Sequence, residues 1–195
     1  MSTQPRRIVA AALLAAALLA MPACTESADQ PGGGESSTAP AESPAPVPTT
    51  AQVGVVSGRL PKPARQQVLT EVTGVVDGWL DAAYVGGDYP RSDFADAFPR
   101  FTADAAAGAQ RDVRLLSNAE VGSRISGIMV KRRVVTVDLL ATEGEARAAT
   151  ARVRLTFRTQ GELEKKVTVA GRLFLTRGPA GRWRIFGYDL SEDKA

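Results

Sequence analysis

The hydrophobic period changes once along the folded part of this chain, at Gly122. Between residues 63 and 121 the apolar residues return every three or four positions, and after Gly122 they return every second position. The first spacing is one face of a helix; the second is a strand with one dry and one wet face. The order therefore restricts the fold class to α+β: N-terminal helices packed on a curved antiparallel sheet of about five strands.

In the helical part, Val68 and Leu69, Val72, Val75 and Val76, Trp79 and Leu80, then Ala83 and Tyr84 form one apolar stripe. Pro63 suits its first turn and Gly86-Gly87 its end. Gly74 and Gly78 lie inside this helix, each disfavoured by about 1 kcal/mol against alanine, which predicts close approach of another element there. Ser92 is read as the cap of a second helical patch over residues 93–98, with Phe94, Phe98 and Phe101 on one side and Pro99 as its breaker. Thr102 is read as the cap of a third, running towards Arg111, with residues 115–118 as its anchor and exit.

Downstream, strands are expected over residues 125–131, 134–141, 146–157, 165–176 and 182–188. The intervening turns are Lys131-Arg132-Arg133, Glu143-Gly144, Gln160-Gly161 and residues 178–181. Short turns predict hairpins and an antiparallel meander. Ala149, Ala151, Val153, Leu155 and Phe157 share one face, while Thr150, Arg152, Arg154 and Thr156 share the other.

The N-terminal 62 residues read differently. Arg6 and Arg7 precede an uncharged apolar run over residues 8–20, too short for the ~20 residues that span a bilayer. This predicts a cleaved export signal over residues 1–23. Small residues then lead to Cys24, the one cysteine of the chain, in a stretch that resembles a bacterial lipobox. That resemblance implies a thiol carrying diacylglycerol, further acylated with palmitate, and a protein exported and lipid-anchored at the outer face of the cell membrane. A lone unmodified thiol in an oxidising compartment would be a liability, which points the same way. Residues 24–62, rich in Pro, Gly, Ser, Thr and Ala, are expected to be a disordered tether. Val53, Val55 and Val56 either dock transiently on the domain of residues 63–195 or have no role.

Composition narrows the chemistry. The 195 residues include no histidine, so no triad, Cys-His pair or imidazole metal site can be built, and one cysteine gives no internal disulfide and no thiolate cluster. No cofactor and no metal site is expected. Of 24 basic and 21 acidic residues, Arg6, Arg7, Arg59, Glu26, Asp29, Glu35 and Glu42 lie at or before position 59, and the residues after it carry a net charge of +4. That density predicts no nucleic-acid binding.

Element order and the stretch FPRFTADAAAGAQRDVRLLSNAEV (residues 98–121) resemble the nuclear-transport-factor-two-like, or cystatin-like cone, superfamily over residues 64–190. Within it the chain resembles actinobacterial lipoproteins and Mce-associated proteins. The resemblance implies a long helix lying across a bent sheet and a pocket between the two. It implies no catalytic site, because the superfamily has no universal one.

Three functions follow as expectations. The first is non-enzymatic binding of an envelope protein partner or a small apolar ligand. Trp79, Tyr84, Phe94, Phe98, Phe101 and Met129 are candidates for pocket or plain core lining, and Asp138 is either part of the candidate pocket or a sheet-face residue paired with a neighbouring Arg. Arg152, Arg154, Arg158, Arg172 and Arg184 are its candidate face for an anionic partner, or for a homodimer. The second is a structural accessory of an envelope complex. The third is a histidine-free proton-transfer enzyme using Asp77, Asp81, Tyr84, Tyr89 or Asp138, the last notable as a charge on an otherwise apolar strand face. The first is preferred, and no catalytic residue is assigned.

Overall fold

The computed structural model describes residues 47–194. The export signal, Cys24 and the tether as far as residue 46 lie outside the described residues. The described chain is α+β. Strand β1 (Thr50–Ser57) leads into helix α1 (Lys62–Leu80), which continues as a π-helical turn, Asp81–Val85. Two shorter helices follow, α2 (Ala103–Arg111) and α3 (Val113–Leu116), then four long strands: β2 (Gly127–Thr142), β3 (Glu145–Gln160), β4 (Lys166–Arg177) and β5 (Trp183–Lys194). The strands form one sheet in the order β1-β2-β3-β4-β5.

Burial follows the sequence stripe. Val68, Val72, Val75, Val76, Trp79 and Leu80 of α1 are buried. They belong to one core with Val135, Val137 and Leu139 of β2, Ala151, Val153, Leu155 and Phe157 of β3, and Val167, Val169, Leu173 and Leu175 of β4. Each fully buried aliphatic side chain there contributes about 1.5–3 kcal/mol relative to exposure. Pro61 and Pro63 border the start of α1, and Gly86 ends its π-helical extension. Thr102 caps α2 through its Oγ1, which accepts from the Ala105 N–H.

Five expectations are corrected. Residues 50–57 are a strand rather than tether: β1 pairs in parallel with β2 from Thr50 opposite Val134 to Ser57 opposite Leu140, so the sheet is mixed and not a pure antiparallel meander. Half-burial of Ala51, Val53 and Val56 is what holds it. The two strands expected over 125–131 and 134–141 are one, β2. Lys131, Arg132 and Arg133 form no turn, because a bulge between Val130 and Arg132 absorbs the extra residue and the strand runs on. Residues 93–98 are a series of turns instead of a helix, with Asp93 Oδ1 accepting from the Ala95 N–H as short polar side chains do in turns. A Cβ on Gly74 or Gly78 would meet nothing within 4 Å, so no element approaches either glycine. Finally β5 extends to Lys194, pairing with β4 along its whole length.

The two faces of the sheet differ sharply. One is sealed by α1 and the turns over 91–101, whose Phe94, Phe98 and Phe101 are all buried. The other carries no helix among the described residues. It displays Thr136, Asp138 and Leu140 of β2, Arg152 and Arg154 of β3, and Arg172 and Phe174 of β4.

Candidate functional site

The aromatic residues expected to line a pocket pack on one another instead. Trp79 and Tyr84 meet edge to face at 5.6 Å between ring centroids, Tyr84 lies 6.1 Å from Phe157, and Phe98 lies 5.4 Å from Phe101. Their polar atoms are committed: Trp79 Nε1 donates to the Leu116 carbonyl at 3.3 Å and Tyr84 Oη to that of Leu115 at 2.8 Å. The π-helical turn opens the Tyr84 carbonyl, which accepts from Tyr89 Oη at 2.6 Å and from Asn118 Nδ2 at 2.9 Å. Burial, helped by the charge of Glu192, pushes the Tyr84 phenol well above its ordinary range. A phenol so placed stays protonated near neutrality. Phe94 is covered by the Arg91 guanidinium, 4.3 Å above its ring.

Met129 and Asp138 do not join this cluster. Met129 precedes the β2 bulge and stands opposite Arg158, so the bulge puts it on the outer side of the sheet. Asp138 stands on the same outer face, opposite Thr150, which explains how a charge is accommodated between Thr136 and Leu140. Its carboxylate receives Arg152 Nε at 3.0 Å and Nη2 at 3.1 Å, together with the Val55 N–H at 2.8 Å. Partial burial pulls this carboxyl upward, but the Arg152 guanidinium and the Val55 N–H outweigh it and hold it below its ordinary value.

Asp77 and Asp81, on α1 and one turn on, are bound by a residue that sequence reasoning placed in a turn. Arg133 points to the core side of β2 with its side chain 9% exposed, donating to Asp77 Oδ1 at 2.9 Å and Asp81 Oδ1 at 2.7 Å. Thr49 Oγ1 donates to Asp77 Oδ1 at 2.6 Å. These carboxylates therefore fasten α1 to β2. The parity of Val135 and Val137, carried back by two residues, was the signal that Arg133 faces inward.

The arginine face divides. Arg152 and Arg172 are directly opposite on β3 and β4, and Arg154 is opposite Ala170. With Arg132, which the sequence reading left out, these three border a cleft of about 430 Å³ floored by Val134, Thr136 and Ala170. Arg152 is paired with Asp138 and Arg172 with Asp189 at 3.0 Å. Arg132 and Arg154 make no ion pair among the described residues. Four guanidiniums and two carboxylates leave the cleft with two uncompensated positive charges. Arg158 lies elsewhere, opposite Lys166, and Arg184 lies near the start of β5, donating to the Phe101 carbonyl at 3.0 Å. On the same outer side Leu140 and Phe186 are about half exposed, at 52% and 51%, and Phe174 is 6.3 Å from Phe186.

The fold and site thus define an α+β domain with packed core aromatics and a cationic, partly apolar outer sheet face. No family model, curated protein or solved structure matches the chain.

Proposed function

We propose that this protein is an exported lipoprotein, anchored in the membrane through Cys24, whose domain works without catalysis by binding an acidic protein partner at the cell envelope. The outer sheet face is the binding surface. The observation that carries this reading is the pair of free guanidiniums, Arg132 and Arg154, beside a cleft whose other two arginines already have their own carboxylates. Exposed Leu140 and Phe186 supply apolar area of the kind that protein interfaces bury. The packed state of Trp79, Tyr84 and Phe157 favours a surface partner over an enclosed apolar ligand. The carboxylates considered for proton transfer, Asp77, Asp81 and Asp138, are all held in ion pairs, which favours binding over chemistry.

We also read the fold as a variant of the nuclear-transport-factor-two-like cone. The long helix on one sheet face and the antiparallel run β2 to β5 support it, and β1, placed before the helix and parallel to β2, is an addition to the pattern. The experiment is co-purification from crosslinked, intact envelopes. The double variant R132E/R154E should lose a partner that the unaltered protein and a K62E control both retain. Equal recovery by all three would overturn the reading.

A further inference from the structure

A second basic site lies away from the outer face, where α1 meets the turn between β4 and β5. Here Gly74, Val75, Arg100, Arg182 and Trp183 border a cleft of about 460 Å³, within the size range of small-ligand sites. Gly74 is an exposed glycine inside a helix, and packing does not require it, since a Cβ there would touch nothing within 4 Å. The space that a side chain would take is the space of the cleft.

Arg100 adopts a left-handed backbone conformation, φ 66°, which is unusual for a residue with a side chain. Its main chain is pinned there: the Ile185 N–H donates to the Arg100 carbonyl at 2.9 Å, and the Thr102 N–H donates to the Ile185 carbonyl at 2.8 Å. The side chains of Arg100 and Arg182 have neither a hydrogen bond nor an ion pair among the described residues. The one carboxylate on the cleft wall, Glu71, is already engaged. It accepts from Arg177 Nη2 at 3.1 Å, Trp183 Nε1 at 3.0 Å and Gln67 Nε2 at 2.9 Å. An adjoining hollow of about 170 Å³ shares Arg100 and Arg182, adds Arg184, and has no acidic residue in its lining.

We propose that this cleft binds a small amphiphilic anion, with a carboxylate or phosphate held by Arg100 and Arg182 and an apolar body resting on Gly74 and Val75. Two planar donors converging on one anion give the strongest class of hydrogen bond to such a group. The vacancy at Gly74 admits the rest of the molecule. This site is independent of the outer sheet face.

The test uses the full chain and the fluorescent sulfonate 8-anilinonaphthalene-1-sulfonate, with amide chemical shifts to locate it. Binding should perturb the amides of Gly74 and Gly181. It should weaken about tenfold in R182A, as loss of one charge-assisted pair implies. It should vanish in G74L, whose melting temperature should be no lower than that of the unaltered protein, and persist in R154A. Displacement by inorganic phosphate would assign a phosphate ligand, and displacement by benzoate a carboxylate. The proposal is overturned if the probe does not bind, if R182A and G74L bind it as the unaltered protein does, if neither anion displaces it, or if the perturbed amides lie on the outer face.

Discussion

Arg152 and Arg172 stand directly opposite one another across the β3–β4 ladder, and each is drawn to its own carboxylate, Asp138 on one side and Asp189 on the other. Like charges in register are unfavourable, and this division of partners relieves them. It also leaves a gap between the two strands' side chains, into which Arg132 and Arg154 bring charge that no ion pair among the described residues offsets.

The Asp138 clasp ties β1 to β3 through β2, because one carboxylate accepts from both the Val55 N–H and Arg152. D138N should destabilise the fold by about 1 kcal/mol, the modest figure reflecting an Arg152 side chain that is half exposed. Urea unfolding measures the loss, and hydrogen exchange at the Val55 amide should accelerate in step with it.

The same clasp has a pH signature. The folded-state carboxyl of Asp138 lies below its ordinary value, about 3.9 for an unfolded chain. Its contribution to stability is therefore complete above that range and is lost as pH falls through the folded-state value. Exchange at Val55, corrected for the intrinsic pH dependence of exchange, should be unchanged from neutrality down to the carboxylate range and rise only below it. A rise beginning near pH 6 would assign the protection to another group.

Arg133 should be the most sensitive charged residue in the domain. R133M removes a nearly buried guanidinium and leaves Asp77, whose side chain is 30% exposed, without its ion-pair partner and with only the Thr49 hydroxyl as donor among the described residues. We expect a loss of about 2 kcal/mol, less than for a fully buried pair because Asp81 is half exposed and can rehydrate. Thermal unfolding of R133M beside R132M separates the two neighbours, since R132M should unfold as the unaltered protein does.

Two glycines give opposite expectations. G78A should raise stability by about 1 kcal/mol, because the helix gains an alanine and the new methyl meets nothing within 4 Å. G54A should lower it by about 1 kcal/mol, because its Cβ would displace Asp138 Oδ1, press on Arg152 Nη2 and so loosen the clasp between them. Equilibrium unfolding of both variants checks the pair.

Long elements with an unbroken period were legible in the sequence. The α1 stripe, the alternation of β3 and β4, and the Thr102 cap each rest on several residues that agree. Elements set by tertiary pairing were not. β1 is an edge strand in a Pro-, Gly- and Ser-rich setting, and only Ala51, Val53 and Val56 are partly buried, too few to stand out from a tether. Three successive cations at 131–133 read as a turn because a bulge, invisible in composition, lets β2 continue through them and turns Arg133 inward. The arginine face was legible along β3. The juxtaposition of Arg152 with Arg172, and the inclusion of Arg132, depend on a cross-strand register that hairpin geometry fixes and residue type does not.

The outer sheet face is the centre of this account, and site-specific photo-crosslinking in the living host tests it most directly. A photoreactive residue placed at position 154 should yield one defined protein adduct, absent when Arg132→Glu is added. The same residue at Gln66, on the exposed side of α1, should yield none. Absence of an adduct from position 154, or the same adduct from both positions, would contradict it.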